Sequence, residues 1–354
     1  MPHRPYFSAA LALALGLLSA CAQTEVAPEA ATSAVLAPAA NSARELALAA
    51  VVAMPAADRY DVRYFEWQDE ARHRMVAVKL YMPVQGQMLS GFASTNPVPL
   101  VVFSHGIGGS REGYTYLGKH WAANGIASMH LQHVGSDRTL WRGNPLTLVS
   151  RLQDAASESE AMDRARDLHF ALDQLLADPV AQRVDASRIA AAGHSYGANT
   201  TLLVAGARVT RDGKALDFSD PRIRAAVILS APPFYGEADT AGILQNVHIP
   251  TLHITAQDDD IRIPGYYSGV NDRRAVFAAT GSADKTLVVF KAGSHSMFTD
   301  RLGTGGAVWN PQVKTATRDL SLTFLRSVFD GNTTAFEPEV ARHQALYQDV
   351  SRRH

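Results

Sequence analysis

Three features of the chain predict an α/β domain with a mostly parallel central sheet and helices on both faces. Short apolar runs alternate with amphipathic helical segments along most of the sequence. One run, Pro99 to Phe103, is continuously apolar, as expected of a strand buried on both sides. Hydrophobic residues make up 47% of the 354 positions and charged residues 19%, which fits a globular core and excludes a largely disordered chain. With 33 Lys+Arg against 34 Asp+Glu the net charge is -1, so no basic excess exists to hold nucleic acid. The single cysteine, Cys21, excludes an intramolecular disulfide and any zinc site built on several thiolates.

The chain begins MPHRPYFSAALALALGLLSACAQ. Arg4 precedes an apolar run from Ala9 to Leu18, which is shorter than the about 20 residues of a membrane span but suits a signal-peptide core. The closing Leu18-Ser19-Ala20-Cys21 resembles the lipobox of bacterial lipoproteins. That resemblance implies removal of residues 1–20 and lipid attachment to Cys21, and Ala22 after the cysteine implies sorting to the outer membrane, facing periplasm or exterior. Residues 21–56 are rich in Ala, Pro, Ser and Thr and read as a tether, which leaves 57–354 as the folded domain.

From Tyr60 the periodicity changes. Val62 to Trp67 and Met75 to Met82 alternate about a polar stretch and read as an antiparallel pair. Pro99 to Phe103 follows, then a helix over Tyr116 to Asn124 and a strand over Ile126 to Leu131. Asp137 to Ser157 is irregular and long enough to cover a site. Glu158 to Leu176 is a helix with Leu168, Ala171, Leu172, Leu175 and Leu176 on one stripe. Ile189 to Ala192 is a strand and Ala198 to Ala207 a helix. Ala225 to Leu229, Pro250 to Thr255 and Leu287 to Phe290 are three further strands, and Val313 to Phe329 is a helix after the last. The tail, Phe336 to His354, reads as a surface helix. Such alternation implies right-handed crossovers, with functional groups gathered at the carboxyl ends of the strands.

The polar residues at those ends point to acyl transfer. Gly193-His194-Ser195-Tyr196-Gly197 lies between a strand and a helix and fits the G-x-S-x-G elbow, whose sharp turn needs glycines and lifts the serine above the sheet. His105-Gly106-Ile107-Gly108-Gly109 follows another strand and suits an oxyanion loop, with the Ile107 and Tyr196 backbone N–H groups as the candidate donors. Neither Gly-Lys-Ser/Thr nor G-x-G-x-x-G is present in that loop, which disfavours a phosphate cradle. A carboxylate is expected in Asp258-Asp259-Asp260. Matching Ala256 to the glycine of G-x-x-D selects Asp259, whereas counting back from Pro264 selects Asp260; Asp259 is preferred. Of the 13 histidines, His295 is singled out because it follows the last expected strand and precedes the last long helix. Trp141, Phe234, Tyr266 and Phe298 lie in loops on the same side and are candidates for an apolar substrate pocket. His130 and His133, three apart at a strand end, point to opposite faces and make a poor metal pair. His133 reads as support for a local turn and His194 as a packing residue.

The HGIGG loop, His133-Val134-Gly135-Ser136-Asp137, the elbow and Ile261-Arg262-Ile263-Pro264-Gly265-Tyr266 carry a family resemblance. From about Tyr60 to Asp330 the chain resembles an α/β-hydrolase, with Ser195, Asp259 and His295 in that fold's order of nucleophile, acid and base. Within the fold it is similar to the predicted dienelactone hydrolases, which grade into platelet-activating-factor acetylhydrolase-like and polyester-hydrolase sequences. Dienelactone hydrolases use a cysteine nucleophile, whereas this elbow carries Ser195. The resemblance implies a serine hydrolase that cleaves carboxylic esters through an acyl-enzyme, on short-chain, acetylated-lipid or polyester-like substrates. It implies no cofactor and no metal, a monomer, and a membrane link through lipidated Cys21. The competing readings are a non-catalytic envelope binding protein on the same scaffold, or a lactonase or peptidase.

Overall fold

The computed structural model describes residues 59–84, 97–301, 304 and 306–353. The expected signal segment 1–20, the tether 21–56 and Cys21 lie outside the described residues. Thirteen strands are described: β1 Tyr60–Asp69, β2 Arg74–Pro83, β3 Val98–Ser104, β4 Ala127–Gln132, β5 Val184–His194, β6 Arg208–Arg211, β7 Lys214–Asp217, β8 Ile223–Leu229, β9 Thr251–Ala256, β10 Ile261–Ile263, β11 Tyr266–Ser268, β12 Lys285–Phe290 and β13 Tyr347–Arg353. The α-helices are α1 Thr115–Ala123, α2 Leu148–Ala155, α3 Glu158–Ala177, α4 Tyr196–Val204, α5 Thr240–Leu244, α6 Val270–Ala279, α7 Trp309–Asp330 and α8 Phe336–Arg342.

Nine strands form one sheet in the order β1-β2-β4-β3-β5-β8-β9-β12-β13. The run from β4 to β12 is parallel, and antiparallel partners close both sides: β2 against β4, β1 against β2, and β13 against β12. The central strands are apolar on both faces, and their period of two divides them between two cores. In β3, Leu100 and Val102 enter one core while Val101 and Phe103 enter the other. In β8, Ala226 and Ile228 face the first and Ala225, Val227 and Leu229 the second. The first core is covered by α3, α4, α5 and α6, through residues such as Leu168, Leu172, Leu202, Leu244 and Val276. The second is covered by α1 and α7, through Leu117, Trp121, Val313 and Leu320, with the Trp121 indole N–H donating to Ser321 Oγ at 3.0 Å.

Three local readings change. The tail is not a surface helix throughout: only Phe336–Arg342 is helical, and Tyr347–Arg353 pairs along β12 as an edge strand. The segment Asp137 to Ser157 is more regular than its sequence suggests, with a 3-10 turn at Arg138–Trp141 and helix α2. Two small hairpins, β6–β7 and β10–β11, stand apart from the main sheet in segments read only as connections. Their strands are three or four residues long, too short to display a period.

A buried polar cluster ties the antiparallel strands to α3. Asp167 is fully buried and accepts from Arg72 Nη1 at 2.9 Å and from Arg74 Nε at 2.9 Å, and its other oxygen lies 3.0 Å from His133 Nδ1. Removing one member of a buried ion cluster strands the remaining charges without compensation. Asp167→Ala is therefore expected to lower the unfolding free energy by about 3–5 kcal/mol, read from urea denaturation.

Candidate active site

The elbow is a close backbone crossing. Strand β5 runs into Ser195, whose φ of 56° and ψ of -123° lie outside the regions a serine normally occupies, and α4 starts at the next residue. A Cβ on Gly193 would fall 2.1 Å from the Gly197 carbonyl oxygen, and one on Gly197 would fall 1.9 Å from the Ser104 carbonyl oxygen. Both contacts are with backbone, so both glycines are required by space. The turn places Ser195 in the wall of a cavity, with the N-terminus of α4 beside it.

The sequence-selected groups converge there. His295 Nε2 lies 2.7 Å from Ser195 Oγ, and His295 Nδ1 lies 2.6 Å from Asp259 Oδ1. His295 sits in a 3-10 turn after β12, and Asp259 in the loop after β9. Asp259 is fully buried, whereas Asp260 points outward and pairs with Arg262 Nη2 at 2.8 Å. The acid in contact with the histidine is thus Asp259. Burial alone would raise its pKa, but the charge and hydrogen bond of His295, then the Arg273 guanidinium and the Ser230 hydroxyl, outweigh burial and hold the carboxyl below its usual range.

The sequence did not reveal the groups around that carboxylate. Ser230, at the end of β8 with φ 55°, donates to Asp259 Oδ2 and lies 2.8 Å from His295 Nδ1. Thr255 Oγ1 donates to the same oxygen at 2.6 Å, and Arg273 Nη2 from α6 stands 3.6 Å from Oδ1. A positive φ at a serine closing a parallel strand leaves no mark in the sequence. Only the position of Ser230 at a strand's carboxyl end could have drawn attention to it. His194 is more than a packing residue: its Nδ1 lies 2.8 Å from the Tyr114 hydroxyl and its Nε2 2.9 Å from the His295 carbonyl oxygen. Burial, then the nearby His295, lowers its pKa to about 3, so its ring is neutral at physiological pH.

The glycine-rich loop is pinned on both sides of Ile107. Gly106 N–H donates to Tyr114 Oη at 3.2 Å, Gly108 N–H to the Ser136 carbonyl at 2.8 Å, and Gly109 N–H to the Gly106 carbonyl at 2.9 Å. Arg164, fully buried, donates to the His105 carbonyl, to Ser136 Oγ at 2.7 Å and to Thr200 Oγ1 at 3.0 Å, joining this loop to α4. The N–H groups of Ile107 and Tyr196 have no acceptor among the described residues, and both residues line the cavity next to Ser195. His133 takes its supporting place through Ser104 Oγ at 3.1 Å and Asp167.

The cavity has a volume of about 350 Å³. Phe234 and Tyr266 line it, together with Tyr235 and residues of α2, α3, α4 and the β6–β7 hairpin. Two expected lining residues do not. Phe298 is 0% exposed and packs in the second core near Phe290, because the 3-10 turn that presents His295 rotates it inward. Trp141 is 43% exposed and lies across Gly108, donating its indole N–H to the Gly108 carbonyl at 2.8 Å, so it braces the glycine-rich loop from outside. Asp319, Glu339 and His343 form a group of metal-ligand type between α7 and the α8 turn, but Arg318 and Arg342 already pair with its two carboxylates.

Residues 65–140 match the family model described as platelet-activating factor acetylhydrolase, isoform II. No curated protein matches the chain. Among solved structures, a ferulic acid esterase from Streptomyces cinnamoneus is similar with a TM-score of 0.55 and 22% identity, over 85% of this chain and 98% of that one. A cold-adapted esterase from an Arctic intertidal metagenomic library is similar with a TM-score of 0.46 and 20% identity, over 67% of this chain and 86% of that one. The topology and the similarity to the Streptomyces structure show an α/β-hydrolase fold.

The lowered pKa of Asp259 has a stability consequence of definite sign. A carboxyl whose folded pKa lies below its unfolded value stabilises the fold fully above the unfolded value, about 3.9, and loses that contribution as pH falls through the lower folded one. The stability gap between the parent protein and Asp259→Asn, read by urea denaturation, should shrink at the acid end of the titration, below about pH 4.

Proposed function

We propose that this chain is a serine hydrolase of carboxylic esters. The observation that carries the reading is the unbroken series of contacts from Ser195 Oγ through His295 to Asp259. His295 Nε2 takes the serine proton as Oγ attacks the ester carbonyl carbon. The carbonyl oxygen, now negatively charged, is held by the Ile107 and Tyr196 N–H groups. Collapse of the tetrahedral species expels the alcohol, which receives the proton from His295 and leaves an acyl-serine. Water, deprotonated by the same nitrogen, then releases the carboxylic acid and restores Ser195. Asp259 keeps Nδ1 protonated and stabilises the imidazolium, and its own orientation is fixed by Ser230 and Thr255. The match to an acetylhydrolase family over residues 65–140 and the similarity to the Streptomyces esterase structure support ester chemistry. The apolar cavity next to the serine suits an uncharged acyl or alcohol group better than a polar peptide.

The lipobox-like Leu18-Ser19-Ala20-Cys21 supports a second proposal, that Cys21 carries lipid and anchors the domain to the outer membrane. Among the described residues no helix is long and apolar enough to cross a membrane. Labelled palmitate should enter the parent chain in cells and fail to enter Cys21→Ser; equal incorporation would remove the anchor.

A fluorophosphonate probe should label the protein at Ser195 and leave Ser195→Ala unlabelled. With p-nitrophenyl butyrate, kcat should fall by roughly a millionfold in Ser195→Ala and by about ten-thousandfold in Asp259→Asn. Absence of labelling would favour a binding protein on this scaffold, and faster turnover of lactones or peptides than of esters would move the activity to those classes.

A further inference from the structure

The face that α4 turns to the cavity is set by helical spacing. Ser195, Asn199 and Leu203 recur every fourth residue and all line it, with Tyr196 and Thr200 beside them. Past the serine, the other walls are largely apolar, including Leu152, Val209, Leu216 and Phe218. Thr200 has its hydroxyl engaged by Arg164 and by the Tyr196 carbonyl. Asn199 does not share that arrangement. It is 8% exposed, and its side-chain oxygen is buried without a hydrogen-bond partner among the described residues. An orphan acceptor in an apolar wall is costly unless something else satisfies it. A leucine of nearly the same shape would fill the position at no such cost, as Leu203 does one turn further on.

We propose that Asn199 is a specificity-determining residue whose side chain receives a neutral hydrogen-bond donor, such as a hydroxyl, carried on an otherwise apolar group of the ester. The inference rests on the ester hydrolase reading and narrows its substrate class. One helical turn separates Asn199 from Ser195, about 6 Å along the axis, so the donor sits several bonds from the scissile carbonyl. The apolar remainder of the group extends over Leu203 toward Phe218. A cavity of about 350 Å³ holds far more than an acetyl group. The pairing is neutral on both sides, and the charges at the rim are already matched, Arg211 bonding both Glu158 and Glu237 at 2.6 Å.

Either side of the ester can bring such a group, and two substrate series separate them. The first is p-nitrophenyl octanoate with its hydroxyoctanoate analogues, the hydroxyl moved from mid-chain to the end. The second is octyl acetate with the corresponding monoacetates of octanediols. In one series, kcat/KM for one hydroxylated position should exceed that of the plain chain by roughly tenfold or more, and Asn199→Leu should abolish or invert that ratio. The melting temperature of Asn199→Leu should equal or exceed the parent's, because an unsatisfied acceptor has gone; should that variant fail to fold, Asn199→Ala supplies the same ratio. A ratio unchanged by the substitution, or a plain-chain preference in both series, overturns the proposal. Ser195-dependent turnover of the plain esters with no hydroxyl preference defeats this inference alone, whereas no Ser195-dependent turnover of any ester defeats the reading beneath it.

Discussion

The site depends on the closeness with which two pieces of backbone cross. Residue 197 lies so near the Ser104 carbonyl oxygen that it has no room for a side chain, and residue 193 lies equally close to residue 197. That contact lets β5 turn abruptly into α4 with Ser195 held at a positive φ. Strained torsions of this kind cost on the order of 1–3 kcal/mol and persist only when their surroundings leave no alternative. Here the surroundings are the central strands of a parallel sheet: Gly193 pairs with Ser104 on one side and Ile228 on the other. The rigidity of the sheet interior is thereby passed to one hydroxyl.

A second layer of polar contacts converts that rigidity into a defined loop. Arg164 reaches three partners across the elbow helix, the glycine loop and Ser136, while His133 spans Ser104 and Asp167. These groups are buried, so each contact replaces water that could otherwise compete. The result is a pair of backbone N–H groups with no acceptor among the described residues, beside a serine in contact with His295.

Most of this was legible in the sequence wherever a feature repeats or has a fixed spacing. The central strands are runs such as Pro99 to Phe103, whose apolar length shows two-sided burial, and the elbow shows itself by its glycines. Ser195, His295 and the Asp258–Asp260 cluster followed from strand ends and chain order, and depth alone separates Asp259 from its exposed neighbours. The features that escaped lack such regularity. β13 reads Tyr-Gln-Asp-Val-Ser-Arg-Arg, with little apolar alternation, because an edge strand owes its place to backbone pairing. Ser230 and Arg273 reach Asp259 from segments distant in sequence. Trp141 and Phe298 were assigned to the pocket because they are aromatic and in loops, yet one clamps Gly108 and the other fills the core. Residue type indicates what a side chain can do, but its direction is set by the turn that carries it.

The antiparallel strand Tyr347–Arg353 has a consequence for solubility. Its partner, Lys-Thr-Leu-Val-Val-Phe, combines high β-propensity with a single charge, a composition prone to cross-β stacking when its flank is bare. The final strand occupies that flank and carries the exposed Arg353 on the outer border of the sheet, while Arg352 folds back onto Phe336 and Glu337. Charged residues on a border strand discourage another polypeptide from docking in register. Pairing along β12 thus removes a bare template for strand addition, at a place in the sheet separate from the contacts around Ser195.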